Sequence, residues 1–156
     1  MNRRDKAYAN TAVAVSKTQD DIRKLLMRYG AKGMQLTEIF EPPSLNLRFQ
    51  VIVEDAGQTA LAMVSMDIPT GEEEARNQRE ADQFRRQAAR ALFYYLKAQL
   101  EAVDFGLVKL EEALLVRHFE VTDKQGRLTT VGRFVLPEFV AAQARSVPLL
   151  LTGGRA

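Results

Sequence analysis

The side chains best suited to acid–base or metal chemistry are few in this sequence and lie far apart. It has one His, His118, and no Cys, which excludes thiol catalysis, cysteine-ligated metals and paired-His metal sites. A nucleophile, an orienting acid and an oxyanion donor would have to converge on His118, and nothing in the sequence places them there. The carboxylate pairs Asp20/Asp21 and Glu111/Glu112 are adjacent on helices, where neighbouring side chains diverge by about 100°. We therefore predict no catalytic residue, no metal and no cofactor.

Composition limits the remaining classes of function. The chain has 156 residues, of which 46% are apolar and 27% charged, and its net charge is +2. These values are typical of one globular domain and too near neutrality to indicate a partner. There is no GxxxxGK or GxGxxG loop, which disfavours nucleotide hydrolysis and dinucleotide chemistry. No apolar run resembles a signal peptide or a membrane span, so we predict a cytoplasmic protein that does not contact a membrane.

A basic stripe on the longest predicted helix is the feature that most suggests binding. At about 100° per residue, Arg79, Arg86, Arg90 and Lys97 lie within about 20° of one line, opposite the apolar face. Residues 76–97 contain six basic and two acidic side chains. Cations at this spacing can follow a phosphate backbone, and Tyr94 beside them can stack on an unpaired base. Arg48, on the polar side of the second strand, extends the path if that face is open.

The same stripe is also typical of a solvated helix face, because a helix must place its charges opposite its core. Two hypotheses for its function remain open. The first is a non-catalytic protein that binds single-stranded nucleic acid. The second is a protein-interaction or inhibitor subunit that docks on another protein through the long helix. The two differ in the salt dependence of binding.

Apolar periodicity predicts the elements that position the stripe. The fold class is α+β, with a three- to four-stranded antiparallel sheet packed by an N-terminal helix and one long helix. The expected order is a helix from Thr18 to Tyr29, strands around 34–40, 45–54 and 59–68, a long helix from Thr70 to Asp104, a short helix at 107–115, an extended piece at 118–122 and a last helix at 131–144. The strand at 59–68 is expected to be the most covered. The predicted core includes Ile22, Leu26, Leu47, Phe49, Val51, Leu92 and Leu96.

The domain organisation follows from these elements. Residues 1–10 are predicted as a flexible basic tail, 11–151 as a single domain with a C-terminal helical extension at 106–151, and 152–156 as a second flexible tail. The apolar residues 148–151 are expected to dock back. The predicted long helix has about 33 residues after its capping residues Thr70 and Gly71 and spans about 50 Å, longer than the sheet can cover. We therefore predict a homo-oligomer, most simply a two-fold dimer.

Several short motifs occur here in a characteristic order. They are TAVAVSKTQDDIRKLLMRYGAKG (11–33), LKAQLEAVDFGLVKLEEALL (96–115), GRLTTVG (126–132), LPEF (136–139) and PLLL (148–151). This order resembles a family of small uncharacterised proteins from bacteriophage, prophage and mobile-element genomes, although the loop at 69–77 is shorter than the family's. The motifs contain no catalytic residue, so no functional residue is carried over. The resemblance implies a setting of DNA replication, recombination or counter-defence.

Overall fold

Alternating apolar residues build a three-stranded antiparallel sheet in the computed structural model, which describes residues 2–144. The strands are β1 (Gly33–Phe40), β2 (Pro43–Asp55) and β3 (Gln58–Pro69), and their order is β1-β2-β3. Strand β2 is therefore central. Its inward-facing side chains are buried, as period-2 alternation predicts for a sheet covered on one face: Leu45, Leu47, Phe49 and Val51.

Two helices cover that face of the sheet. They are α1 (Val15–Arg28) and α2 (Gln78–Asp104), and their apolar residues join those of β2 in one cluster. All seven predicted core residues belong to this cluster, and each is no more than 4% exposed. The predicted α+β class and core are thus confirmed.

The chain after α2 adds a small helical and hairpin region. It comprises α3 (Leu110–His118), β4 (Glu120–Thr122), β5 (Leu128–Thr130) and α4 (Val131–Ala144). Strands β4 and β5 form their own two-stranded sheet, and Phe119 forms an isolated bridge to Val64 of β3. The predicted docking segment 148–151 and the predicted tail 152–156 lie outside the described residues. Within the described part of the chain, no helix is long and apolar enough to cross a lipid bilayer.

Three of the four predicted helix starts were wrong, including that of α3, which begins at Leu110 and not at residue 107. Helix α1 begins at Val15, three residues before Thr18, whose side chain is buried inside the helix. Helix α2 is capped by Asn77, whose side chain accepts a hydrogen bond from the Glu80 amide at 3.0 Å. Gly71 has a φ of +72°, so the chain cannot continue from Thr70 into an α-helix and makes a short 3-10 turn instead. Helix α2 therefore has 27 residues, about 40 Å.

The prediction that β3 is the most covered strand was also wrong. It is an edge strand, because β1 pairs with the other side of β2. The first four residues of β3 are exposed, and Leu61 retains 59% of its accessible surface. Apolar composition on both faces therefore did not indicate burial here.

The argument for a dimer does not hold in the structure, although the oligomeric state stays a prediction. Most of the apolar residues of α2 that appeared uncovered are covered by the same chain, and Tyr94 is partly covered. Leu96 and Leu100 are buried in the core, Tyr95 packs against His118, and Tyr94 stacks on Tyr8. A second subunit is not required to shield them.

The β2–β3 turn allows a direct test of the backbone conformation. Ala56 and Gly57 both have positive φ, +48° and +80°, as a two-residue type I′ turn requires. Alanine is strained there, whereas asparagine tolerates this conformation. Ala56→Asn should therefore raise the free energy of unfolding by about 0.5–1 kcal/mol, measured by chemical denaturation. Gly57→Ala makes the reverse change at the other turn position, because it introduces a Cβ where φ is positive, and should lower the free energy of unfolding. Equal destabilisation by both substitutions would contradict the turn geometry.

Candidate nucleic-acid interface

Charge is segregated between the two layers of the fold. The helical side, defined as residues 2–32 and 70–104, carries fourteen Lys and Arg against ten Asp and Glu. It includes Glu72–Glu74, whose turn packs against α2. The sheet side, defined as residues 33–69, carries one basic and five acidic residues. Formal charges of +4 and −4 therefore lie on the two layers of a chain whose net charge is only +2. Such an arrangement attracts a polyanion to the helical side and repels it from the sheet side.

The N-terminal segment, residues 2–11, packs along α2 rather than extending away as a tail. Two side-chain amides of α2 hold its main chain. Gln87 donates to the carbonyl oxygens of Arg3 and Ala7 at 3.0 and 2.8 Å, and Gln83 donates to that of Ala9 at 2.9 Å. Because Gln87 is only 2% exposed, its amide would be costly to bury without these partners.

An ion pair fixes the same segment beside the start of α2. The Nε of Arg4 donates to a carboxylate oxygen of Glu80 at 2.7 Å, and the Arg4 guanidinium lies 5.6 Å from the centre of the Phe84 ring. The hydrogen bond raises the pKa of Arg4 and holds the pKa of Glu80 below its ordinary value. Both groups stay charged at neutral pH, so this pair contributes no net charge to the surface.

Arg90, at the centre of the predicted stripe, is enclosed between the two helices. Its guanidinium pairs with Asp21 of α1 at 3.0 Å and lies 4.7 and 5.0 Å from the ring centres of Phe93 and Tyr94. A hydrogen bond from Lys17, with that from Arg90, lowers the pKa of Asp21. Because the Arg90 side chain is only 11% exposed, it joins α1 to α2 and is not positioned to contact a phosphate.

The predicted stacking residue is already stacked. The Tyr94 ring lies against Tyr8 of the N-terminal segment, with centroids 5.0 Å apart and planes inclined by 12°. Tyr8 itself remains 40% exposed. The aromatic surface available to a ligand is therefore the outer face of Tyr8 as well as the exposed part of Tyr94.

Two further predicted contacts are occupied by carboxylates. Lys97 pairs with Glu101 one turn further along α2, at 3.4 Å. Arg48 makes two hydrogen bonds to Glu120 of β4, at 3.1 and 2.6 Å. Arg48 alternates with the buried residues of β2 and so lies on the sheet face opposite the helices. It therefore cannot extend the stripe, because the sheet separates the two.

The remaining predicted residues lie near the start of α2. Arg79 is exposed and, with Arg76, lines a shallow cavity of about 420 Å³ beside Asn10. Neither arginine forms an ion pair with any residue of the described chain. Arg86 donates to the side-chain oxygen of Gln83 at 2.8 Å, and its Nε is buried without a partner among the described residues. The six predicted residues therefore do not form one continuous surface, and a role for each in binding stays a prediction.

Both ring nitrogens of His118 are engaged by hydrogen bonds. Nδ1 lies 3.2 Å from the carbonyl oxygen of Ser65, and Nε2 lies 2.7 Å from the hydroxyl of Tyr95. A carbonyl only accepts, so Nδ1 carries the proton and Nε2 accepts from Tyr95. Burial lowers the pKa of His118, and nearby Arg117 acts in the same direction, although the Ser65 carbonyl opposes them. His118 is thus neutral near pH 7 and ties α3 to β3 and α2.

In residues 2–144 no group of three or more His, Asp or Glu side chains is close enough together to hold a metal ion. No protein-family model matches the chain, and no curated protein or solved structure is detectably similar to it. The resemblance to mobile-element proteins therefore remains an expectation from the sequence motifs.

Arg90 should contribute more to stability than any exposed arginine of α2. Replacing it by Gln removes the ion pair with Asp21 and the contacts with two aromatic rings. We expect Arg90→Gln to cost about 1–2 kcal/mol, measured by urea denaturation. Arg79→Gln is the matched control on the same helix and should stay within about 0.5 kcal/mol of the unchanged protein. Equal costs for the two would show that Arg90 does not join the helices.

His118 should make stability depend on pH between about 5 and 7. The folded state holds His118 neutral, whereas in the unfolded chain it takes up a proton near its ordinary pKa of about 6.5. As pH falls through this window, the unfolded state therefore binds more protons than the folded state. The free energy of unfolding, which is highest above pH 7, decreases accordingly. His118→Gln should flatten the decrease between pH 7 and 5. The pKa values of Asp21, Glu80 and Asp123 are lowered. These carboxylates therefore lose their contributions to the free energy of unfolding only at more acidic pH. An unchanged slope would contradict the role given to His118.

Proposed function

We propose that the protein is a non-catalytic binding protein that holds single-stranded nucleic acid against its helical side. In this proposal it is a cytoplasmic accessory of phage or mobile-element DNA metabolism. The observation that carries the proposal is the charge segregation, +4 on the helical side against −4 on the sheet side. Phosphate charge dominates nucleic-acid affinity, so a layer with this excess of cations favours a polyanionic ligand.

The proposed phosphate contacts begin at the N-terminal end of α2. Arg76 and Arg79 are exposed there and have no carboxylate partner in the described chain, and they line the cavity beside Asn10. Lys97 extends the surface along the helix, because its pair with Glu101 is exposed and such pairs contribute little and exchange readily. Arg90 supports the surface by holding α1 against α2 and does not itself touch the ligand.

Stacking explains why a single strand is proposed rather than a duplex. Tyr8 and Tyr94 already form an aromatic stack at the surface, and Tyr8 is 40% exposed. An unpaired base can extend this stack on the outer face of Tyr8, whereas a duplex buries its base faces and cannot. The aromatic contact is therefore assigned to Tyr8, which the sequence alone did not single out.

The alternative of docking on another protein through α2 is less well supported by the geometry. Helix α2 is covered by the sheet, by α1, by the N-terminal segment and by α3. Its exposed residues are mostly charged or polar, namely Gln78, Arg79, Glu101 and Asp104, beside Tyr94 and Ala98. Such a strip lacks the apolar centre of a typical protein interface.

Fluorescence anisotropy of a labelled single-stranded oligonucleotide, titrated at several salt concentrations, tests the proposal. Three or four phosphate contacts should make log K fall with a slope of about −2 to −3 against log salt. The double variant Arg76→Gln/Arg79→Gln should weaken binding and reduce the slope by about 1.4, or 0.7 per lost contact. Arg117→Gln/Arg133→Gln removes the same charge from exposed positions outside the helical side and should leave the slope unchanged.

Tyr8 variants separate stacking from charge. Tyr8→Ala should weaken oligonucleotide binding by about tenfold, within the range for loss of one stacked base, while Tyr8→Phe should retain it. Absence of salt-dependent binding by the unchanged protein would refute the proposed function, and equal effects of the two arginine pairs would refute the proposed surface.

A further inference from the structure

A groove of about 570 Å³ lies between the tip of the β2–β3 hairpin and the start of α3. None of its lining residues belongs to the helical side. Apolar side chains from three elements line it: Val53 of β2, Ala60 of β3 and Phe119, which follows α3. Phe119 belongs to the main core cluster and the partly buried Val53 packs against it, so the base of the groove adjoins the core.

Carboxylates surround this apolar lining. Glu54 and Asp55 come from the end of β2, and Glu111 and Glu112 from the first turn of α3, with Lys109 the one cation among the lining residues. None of the four carboxylates forms an ion pair in the described part of the chain. Glu112 caps α3 by accepting a hydrogen bond from the Lys109 amide at 2.9 Å. Charges of one sign held together without a cationic partner in the described chain favour an occupant of the opposite sign.

One wall of the groove is an open strand edge. Strand β3 pairs with β2 along its length. On its other side the described residues add no further strand: Phe119 forms the isolated bridge to Val64, and His118 contacts the Ser65 carbonyl. Residues 58–61, beyond these contacts, are exposed. An unpaired edge of this kind accepts an added strand, whose main chain supplies the affinity while its side chains supply the specificity.

From the groove, its acidic surround and the open edge of β3 together, we infer that this site binds an extended, positively charged segment of a partner protein. The segment adds a strand beside residues 58–61, places one large apolar side chain against Val53 and Phe119, and sets Lys or Arg beside Glu54 and Glu111. A second copy of this chain is a weaker candidate, because the cations of its helical side are mostly on helices and cannot add a strand.

Selection from a displayed library of random short peptides tests the inference. The full chain is the target, and the variant Glu54→Lys/Glu111→Lys serves for counter-selection. We expect the enriched peptides to be net positive and to carry at least one large apolar residue. By fluorescence anisotropy the groove variant should bind the best peptide at least about tenfold more weakly. Glu73→Lys/Glu138→Lys makes the same charge change at exposed positions outside the groove and should stay within about twofold.

Backbone methylation of the selected peptide tests strand addition separately. Methyl groups on alternate amide nitrogens remove the donors that an added strand needs, so binding should fall by at least about tenfold. Circular dichroism and thermal melting confirm that both protein variants keep the fold. Enrichment of neutral or acidic peptides, no groove-dependent enrichment, or full binding by the methylated peptide would each overturn the inference. Light scattering in which only the groove variant loses an oligomer would instead assign the groove to a second copy and overturn it too.

Discussion

The row of apolar side chains on β2 is the constraint on which the rest of the structure depends. Leu45, Leu47, Phe49 and Val51 all face one way and must be removed from water. Two helices cover them, and this leaves two separate outer surfaces, one made by the helices and one by the back of the sheet. Because the two surfaces are separate and both face solvent, they can carry opposite net charges without burying a charge in the apolar core. Arg85 of α2 connects the layers where they meet, because it lies 3.8 Å from Glu38 of β1 and makes two hydrogen bonds to Glu72 at 3.1 and 2.6 Å.

Much of the fold could be predicted because its signals are local. Strict alternation in β2 and the repeat of Ile22 and Leu26 in α1 identify both the elements and their buried faces. The start of α2 could not be predicted in the same way. Thr70 and Asn77 both carry cap signals, and the choice between them depends on the left-handed conformation of Gly71. The position of β3 at the edge of the sheet also depends on a non-local fact, namely the side of β2 on which β1 pairs.

The candidate interface was harder to predict than the fold, since pairing between distant residues decides which cations are available. Helical spacing correctly places Arg90 in line with Arg79. It cannot show that Asp21, 69 positions before Arg90, neutralises Arg90 and not Arg79. The N-terminal segment had no apolar pattern and therefore looked unstructured. Its position depends on hydrogen bonds that the side-chain amides of Gln83 and Gln87 donate to its main-chain carbonyls. Every sequence has such carbonyls, so they give no signal in the residue pattern.

Opposite charges on two layers give the molecule a large electric dipole moment. A dipole near a polyanion experiences a torque before it makes any contact, so the molecule turns its helices toward such a surface during approach. The Debye length at physiological ionic strength is about 8 Å, which limits this orientation to the last few solvent layers. For the proposed nucleic-acid ligand, we expect an encounter complex to begin with Arg76 and Arg79 facing the ligand and with the acidic β2–β3 hairpin on the far layer, open to solvent.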